Sequence, residues 1–228
     1  MTDESLKEEI LINVTPSEVR AALLESGILQ EVYIERSARR GVISNIYKGR
    51  VSRVLPGMQA AFVDVGLQRT AFLHVSDIIR QQNGDSEGDE LPGIRDLVRE
   101  GEDVLVQVVK DPLGNKGARL TTFITLPSRH LVLLPKGDTV GISARIEDEA
   151  ERERLREMVT GLLDEAGLGC GAIVRTVAEG ASAEELRADL EFLVKLWSVV
   201  QERCSNAEVK SLIHEDLSLP LRVLRDLV

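Results

Sequence analysis

Between Asn45 and Leu73 the chain reads as three strand-like runs cut by turn residues, and no other stretch constrains the fold as tightly. Ile46–Leu55, Ala60–Val65 and Thr70–Val75 are β-prone, and Pro56-Gly57 and Gly66 separate them. A polar loop, Gln81–Leu91, and a short segment, Ile94–Arg99, come next, followed by two further runs, Asp103–Lys110 and Ala118–Leu126. Five short strands with a longer insertion after the third predict a small closed barrel of OB type. Phe62 stands on the second run and Phe72 on the third, with Tyr47, Lys48, Arg50 and Arg53 on the first. Aromatic rings on a sheet beside basic residues suit the stacking of bases and the holding of phosphates.

The flanks read differently. Glu8–Val14, Glu18–Leu24 and Ile28–Ile34 are short strands, turned at Thr15-Pro16 and Ser26-Gly27, and Arg36–Gly41 is a polar joint. After a strand at Leu131–Leu134, Asp148 followed by Glu151 opens a helix with Leu155, Met158, Val159, Leu162 and Leu163 on one face. Ile173–Val177 returns to strand character. Ser182 with Glu185 forms a capping box for a second helix, carrying Leu186, Leu190, Leu193, Val194, Trp197 and Val200 and ending near Cys204. Leu212–His214 is strand-like, and Pro220 opens a last short helix.

A chain of 228 residues can bury a real core in one or two domains. It shows no apolar run of membrane-spanning length and no leader, and its two cysteines, Cys170 and Cys204, give no disulfide framework. The expectation is a cytoplasmic protein that does not enter membranes. No Cys-x-x-Cys occurs and the three histidines are scattered, so no zinc site is expected. The net charge of −10 argues against a nucleic-acid partner, but its distribution reverses that argument. Arg36, Arg39, Arg40, Lys48, Arg50 and Arg53 form a run with no acid in it, while acid gathers at Asp85–Glu90, Glu147–Glu157 and the first ten residues. Without the aromatics, that run would read as a solvated edge strand.

Asn45–Gly49, Gln59–Asp64, Ala71–Leu73, Gln107–Thr122, Ile124–Arg129, Ile173–Thr176 and Arg222–Asp226 resemble the RNase E/G family of bacterial endoribonucleases, in wording closer to the RNase G branch. The resemblance runs over essentially the whole chain and covers the first part of the family's catalytic region. It implies an α+β fold. An S1-type OB-fold barrel (41–126) would be inserted between the opening strands of an RNase H-like subdomain (1–40) and an α/β 5′-sensor subdomain (127–205). Residues 206–228 would return to the RNase H-like subdomain, which in the family continues further. The implied function is binding of single-stranded RNA and sensing of a 5′-monophosphate, in a family active in ribosomal RNA maturation and mRNA decay. The family hydrolyses RNA with magnesium-bound aspartates and dimerises through a zinc link between cysteine pairs. Neither motif is in this sequence, so the resemblance implies no cofactor, no cleavage and no family-type dimer for this chain alone. The alternative is a free-standing, non-catalytic RNA-binding module of the same architecture. A purely structural domain would leave the aromatic and basic face unused.

The residues to watch follow. Phe62, Phe72 and Lys116 are the first candidates for RNA contact, with Tyr47 and Lys110 behind them. From pattern alone Phe62 reads equally as an inward core ring. Lys116 lies in a glycine-bounded turn, Gly114-Asn-Lys-Gly117, that would present it at the barrel mouth. Arg175 and Thr176 sit in an otherwise apolar strand, where an arginine needs a partner or a pocket. A planar guanidinium beside a hydroxyl suits a terminal phosphate, and pairing with a helix glutamate is the competing role. The resemblance implies a 5′-phosphate pocket of Arg175 and Thr176 with backbone groups at Ser128 and Val132, completed in the family by an arginine from elsewhere. Asp64 and Asp77 read as turn or cap residues and His74 as structural.

Overall fold

The computed structural model describes residues 7–78 and 92–227. The polar loop expected at Gln81–Leu91 lies outside the described residues. By internal contacts the chain divides into two compact units, Met1–Gly41 with Asp216–Val228, and Val42–Glu215.

In the first unit β1 (Glu8–Val14), β2 (Glu18–Glu25) and β3 (Ile28–Arg36) form an antiparallel meander. Both turns fall where the sequence predicts. Thr15 Oγ1 donates to Glu18 O at 2.8 Å, and Ser26 and Gly27 take positive φ of 50° and 78°. The C-terminal helix, Leu219–Leu227, lays Leu219 and Val223 on Ala21.

The second unit holds the barrel. Its strands are β4 (Ile46–Leu55), β5 (Ala60–Asp64) and β6 (Ala71–His74), then, after a single helical turn α1 (Ile94–Leu97), β7 (Asp103–Lys110) and β8 (Arg119–Thr121). The ladder runs β4-β5-β6-β8-β7 and closes because β7 also pairs with β4. The result is a closed five-stranded barrel of OB-like form inside a mixed α+β chain. Period-two alternation sends Ala61, Val63, Ala71 and Leu73 into the barrel and leaves Phe62 and Phe72 outside.

The run predicted at Ala118–Leu126 is broken. β8 stops at Thr121, and β9 (Leu126–Pro127) belongs to a second sheet. Side chains take over the backbone donors in between. Phe123 N donates to Thr121 Oγ1 at 3.1 Å and Thr125 N to Gln107 Oε1 at 2.9 Å. The buried Gln107 returns its own amide to Ser44 O and Thr125 O, both at 3.0 Å. No propensity scale carries a tertiary capture of this kind.

The second sheet is ordered β11-β12-β10-β9, with β10 (Leu131–Leu134), β11 (Val140–Ile142) and, after helix α2 (Glu149–Glu165), β12 (Gly171–Val174). Helix α2 and α3 (Ala183–Asn206) bury Leu155, Val159, Leu186, Leu190 and Leu193 against it. Both helix starts are as predicted. Asp148 accepts from Ala150 N at 3.1 Å, and Ser182 and Glu185 exchange bonds of 3.3 and 2.8 Å. The strand expected at Ile173–Val177 is displaced: β12 ends at Val174, and Thr176–Ala178 is a 3-10 turn. Strand β11, with glycine in the middle of three residues, carried no readable signal.

Strand β13 (Ser211–His214) pairs with β4, Leu212 opposite Tyr47. The segment 206–228 therefore does not act as one piece. Its first part, through Glu215, belongs to the barrel-bearing unit, and the boundary falls before Asp216 rather than at 205. Among the described residues no helix is long and apolar enough to cross a membrane.

Candidate nucleic-acid interface

Phe62 and Phe72 are direct cross-strand partners on β5 and β6. Their rings meet edge to face, centroids 6.3 Å apart and planes at 66°. His74, next on the same face, stacks on Phe72 at 6.3 Å and 27°, and its Nδ1 accepts from Ser76 N at 3.2 Å. A groove of about 930 Å³ opens beside the two phenylalanines, lined also by Met58, Leu113, Arg69, Lys110 and Lys116. Met58 and Leu113 are exposed, Leu113 to 80%. Apolar faces flanked by cations are what a single strand of nucleic acid requires, since every base has a face to stack and every phosphate a charge to neutralise.

Local geometry presents Lys116. Leu113 and Lys116 exchange backbone hydrogen bonds of 3.2 and 3.0 Å around Gly114, whose φ is +57°. The chain then passes so close to β6 that a Cβ on Gly117 would lie 1.9 Å from Thr70 O. Glycine is required there, and it brings the lysine-bearing turn against the strand that carries Phe72.

The cations of this groove are not the basic run of the sequence. Lys48 donates to Cys204 O and Ala207 O at 2.9 and 3.0 Å, where the end of α3 offers its carbonyls. Arg50 pairs with Asp103 at 2.8 Å, and Arg36, Arg39 and Arg40 belong to the other compact unit. Of the run, Arg53 stands opposite Phe62 in the β4–β5 register. Lys110 and Lys116 line the groove, and so do Arg69, Met58 and Leu113, which the sequence reading did not single out. Tyr47 is corrected: it is 6% exposed and packs in the barrel core, because its position on β4 has the inward parity of Val51.

Asp64 and Asp77 each hold an ion pair. Lys210 lies 2.8 Å from Asp64, and its hydrogen bond, then that of Gly66 N, pulls the Asp64 carboxyl below its usual range. Asp77 receives Arg119 at 2.8 and 3.2 Å. Among the described residues no three His, Cys, Asp or Glu side chains are grouped so as to hold a metal ion.

The second set of candidates is brought together in part, through a contact between Arg175 and Ser128. Arg175 lies just beyond β12, and its Nη1 donates to Ser128 O at 2.6 Å and to Arg129 O at 3.2 Å. Its backbone N–H donates to His130 O at 2.8 Å. Thr176 Oγ1 is 2.9 Å from Ser143 Oγ, which also accepts from Arg145 N at 3.3 Å. Val132 lies on β10 opposite Ile173 and Pro127. Ser128 is buried, and its hydroxyl reaches Asp189 Oδ2 at 2.5 Å. Nearby, hydrogen bonds from Arg154 and then from Gly180 N hold Glu151 down at about 2, which ties Gly180, beyond the turn bearing Thr176, to α2. Sequence reasoning missed Ser143 and Asp189. Asp189 carried a signal: it falls at helical spacing among Leu186, Leu190 and Leu193, an acid on an apolar face.

The sequence profile of the Ribonuclease E/G family matches residues 125–228, the stretch that holds Arg175. Over 224 residues, 96% of the chain, the sequence is 56% identical to Ribonuclease G of Haemophilus influenzae. It is 55% identical over 223 residues to Ribonuclease G of Escherichia coli and 40% identical over 224 to Ribonuclease E of the same organism. The chain spans 45% of the length of either Ribonuclease G and 21% of that Ribonuclease E.

Proposed function

We propose that the chain is the N-terminal segment of a ribonuclease G-like endoribonuclease, and that it binds single-stranded RNA and reads a 5′-monophosphate on it. The observation that carries the reading is the outward Phe62–Phe72 pair in a groove bordered by Lys110 and Lys116. In this reading the barrel is of S1 type, and residues 127–205 serve as a 5′ sensor. The meander with the C-terminal helix is the beginning and return of an RNase H-like subdomain. Arg175 and Thr176 would address the terminal phosphate, one through a rigid donor fork and the other through a hydroxyl. Similarity to Ribonuclease G over nearly the whole chain supports the RNA partner; in this reading the parent protein acts in the cytoplasm, in ribosomal RNA maturation and mRNA decay.

Hydrolysis in this reading belongs to parts of the parent protein outside these residues. Magnesium-assisted cleavage needs carboxylates that fix the ion and a water beside the phosphate, whereas Asp64, Asp77, Asp103 and Glu151 are engaged in ion pairs and Asp189 with backbone N–H groups. The test is to incubate the purified chain with 5′-monophosphorylated RNA and magnesium, beside a binding titration on the same RNA. Binding without cleavage is expected. Cleavage that survives further purification and disappears on changing an acid of this chain would overturn the assignment.

A further inference from the structure

The turn that holds Arg175 is itself held by one carboxylate. Asp189 Oδ2 accepts from Ser128 Oγ at 2.5 Å, from His130 N at 2.9 Å and from Leu131 N at 2.9 Å. Asp189 projects from α3, half-buried, toward the start of β10. The carbonyls of Ser128 and Arg129, in the same turn, receive Arg175 Nη1. The two sets of bonds therefore act in series: helix α3 fixes the turn through Asp189, and the turn fixes the guanidinium through its carbonyls. A charge-assisted bond is roughly twice as strong as a neutral one, and three on one oxygen make the turn stiff.

We propose that Asp189 is the positioning residue of the 5′-phosphate pocket, setting the direction of the Arg175 guanidinium without touching the ligand. The proposal rests on the reading of Arg175 and Thr176 as a phosphate site. Its sign is distinctive. A carboxylate near a phosphate should repel it, so neutralising Asp189 should strengthen phosphate binding if charge alone matters. If the carboxylate positions the turn, neutralising it should weaken phosphate binding, because an amide accepts these bonds less strongly and brings two N–H donors among donors.

The test uses the whole 228-residue chain. Two oligoribonucleotides of one sequence, ending in a 5′-monophosphate or a 5′-hydroxyl, are titrated and the ratio of affinities is taken. The unsubstituted chain should favour the monophosphate by a small factor, because the arginine that completes the family's pocket lies outside these residues. Arg175→Ala should bring the ratio to near one, and Asp189→Asn and Asp189→Ala should bring it close to that value. Ser128→Ala, which removes one of the three donors, should fall between. Arg187→Ala, on the exposed side of α3, should leave the ratio unchanged. In amide spectra, Asp189→Asn should shift the His130 and Leu131 protons upfield as their bonds to a charge are lost. If Asp189→Ala fails to fold, Asp189→Asn and Ser128→Ala still decide. A ratio kept or raised by Asp189→Asn, while Arg175→Ala abolishes it, overturns the positioning role alone. No preference in the unsubstituted chain and no effect of Arg175→Ala overturn the phosphate reading itself, and the role of Asp189 with it.

Discussion

The barrel groove and the Arg175 turn are built on opposite plans. The groove is made by side chains standing on the outside of a closed sheet, and the barrel core beneath them needs none of their atoms. The Arg175 site is made by a turn whose shape depends on backbone carbonyls, a serine hydroxyl and a carboxylate from α3. Function and stability are thus separable in the first and entangled in the second. A substitution in the groove should change binding and spare the fold, whereas one behind the turn should change both.

The largest expected effect tests the inside of the barrel against its outside. Tyr47→Ala empties a core position and should cost about 3–5 kcal/mol of stability, read from denaturant unfolding. Phe62→Ala and Phe72→Ala, on the outer face, should leave unfolding nearly unchanged. An equal loss of stability in all three would erase the distinction between core and platform. Next in size is the loss of RNA affinity in the two phenylalanine variants, about 1–3 kcal/mol each if the rings stack on bases.

Salt dependence comes third. If Arg69, Lys110 and Lys116 neutralise about three phosphates, log affinity should fall against log salt with a slope of roughly −2. Lys116→Ala should make that slope shallower, while Arg50→Ala should not, because Arg50 is paired with Asp103. The reverse result would return the binding stripe to the first strand. The smallest effect is on acid stability near the Arg175 site. The Glu151 carboxyl is held at about 2 against an ordinary 4.5. Between those values the unfolded chain binds more protons than the folded one, so this contribution is full above about 4.5 and fades as pH falls toward 2. Glu151→Gln should flatten the unfolding profile across that window, and an unchanged profile would show that the clamp on Gly180 is weak.

The two plans also differ in how far they can be read from sequence. Alternation in Ala60–Asp64 and Ala71–His74 was legible, and the glycine-bounded turn announced Lys116. The six-residue basic run misled, because charge in sequence does not show which charges are already engaged: Lys48 is used by carbonyls at the end of α3 and Arg50 by Asp103. Tyr47 misled for a related reason. An aromatic beside a lysine looks like a binding pair, but parity on β4 turns the ring inward. At the Arg175 turn the strand boundary was misread by a few residues, and the carbonyls that hold the guanidinium have no sequence signature. The acid on the apolar face of α3 was readable and went unread.

The account's central claim is that the outer face of the barrel binds single-stranded RNA by stacking. The direct measurement is an anisotropy titration of one labelled single-stranded oligoribonucleotide with the unsubstituted chain, Phe62→Ala and Phe72→Ala, after each variant's unfolding curve has been recorded. The account predicts binding that weakens with salt and falls roughly five- to hundredfold in each variant while the unfolding curves superimpose. Variants that fold normally and bind as tightly as the unsubstituted chain would contradict it.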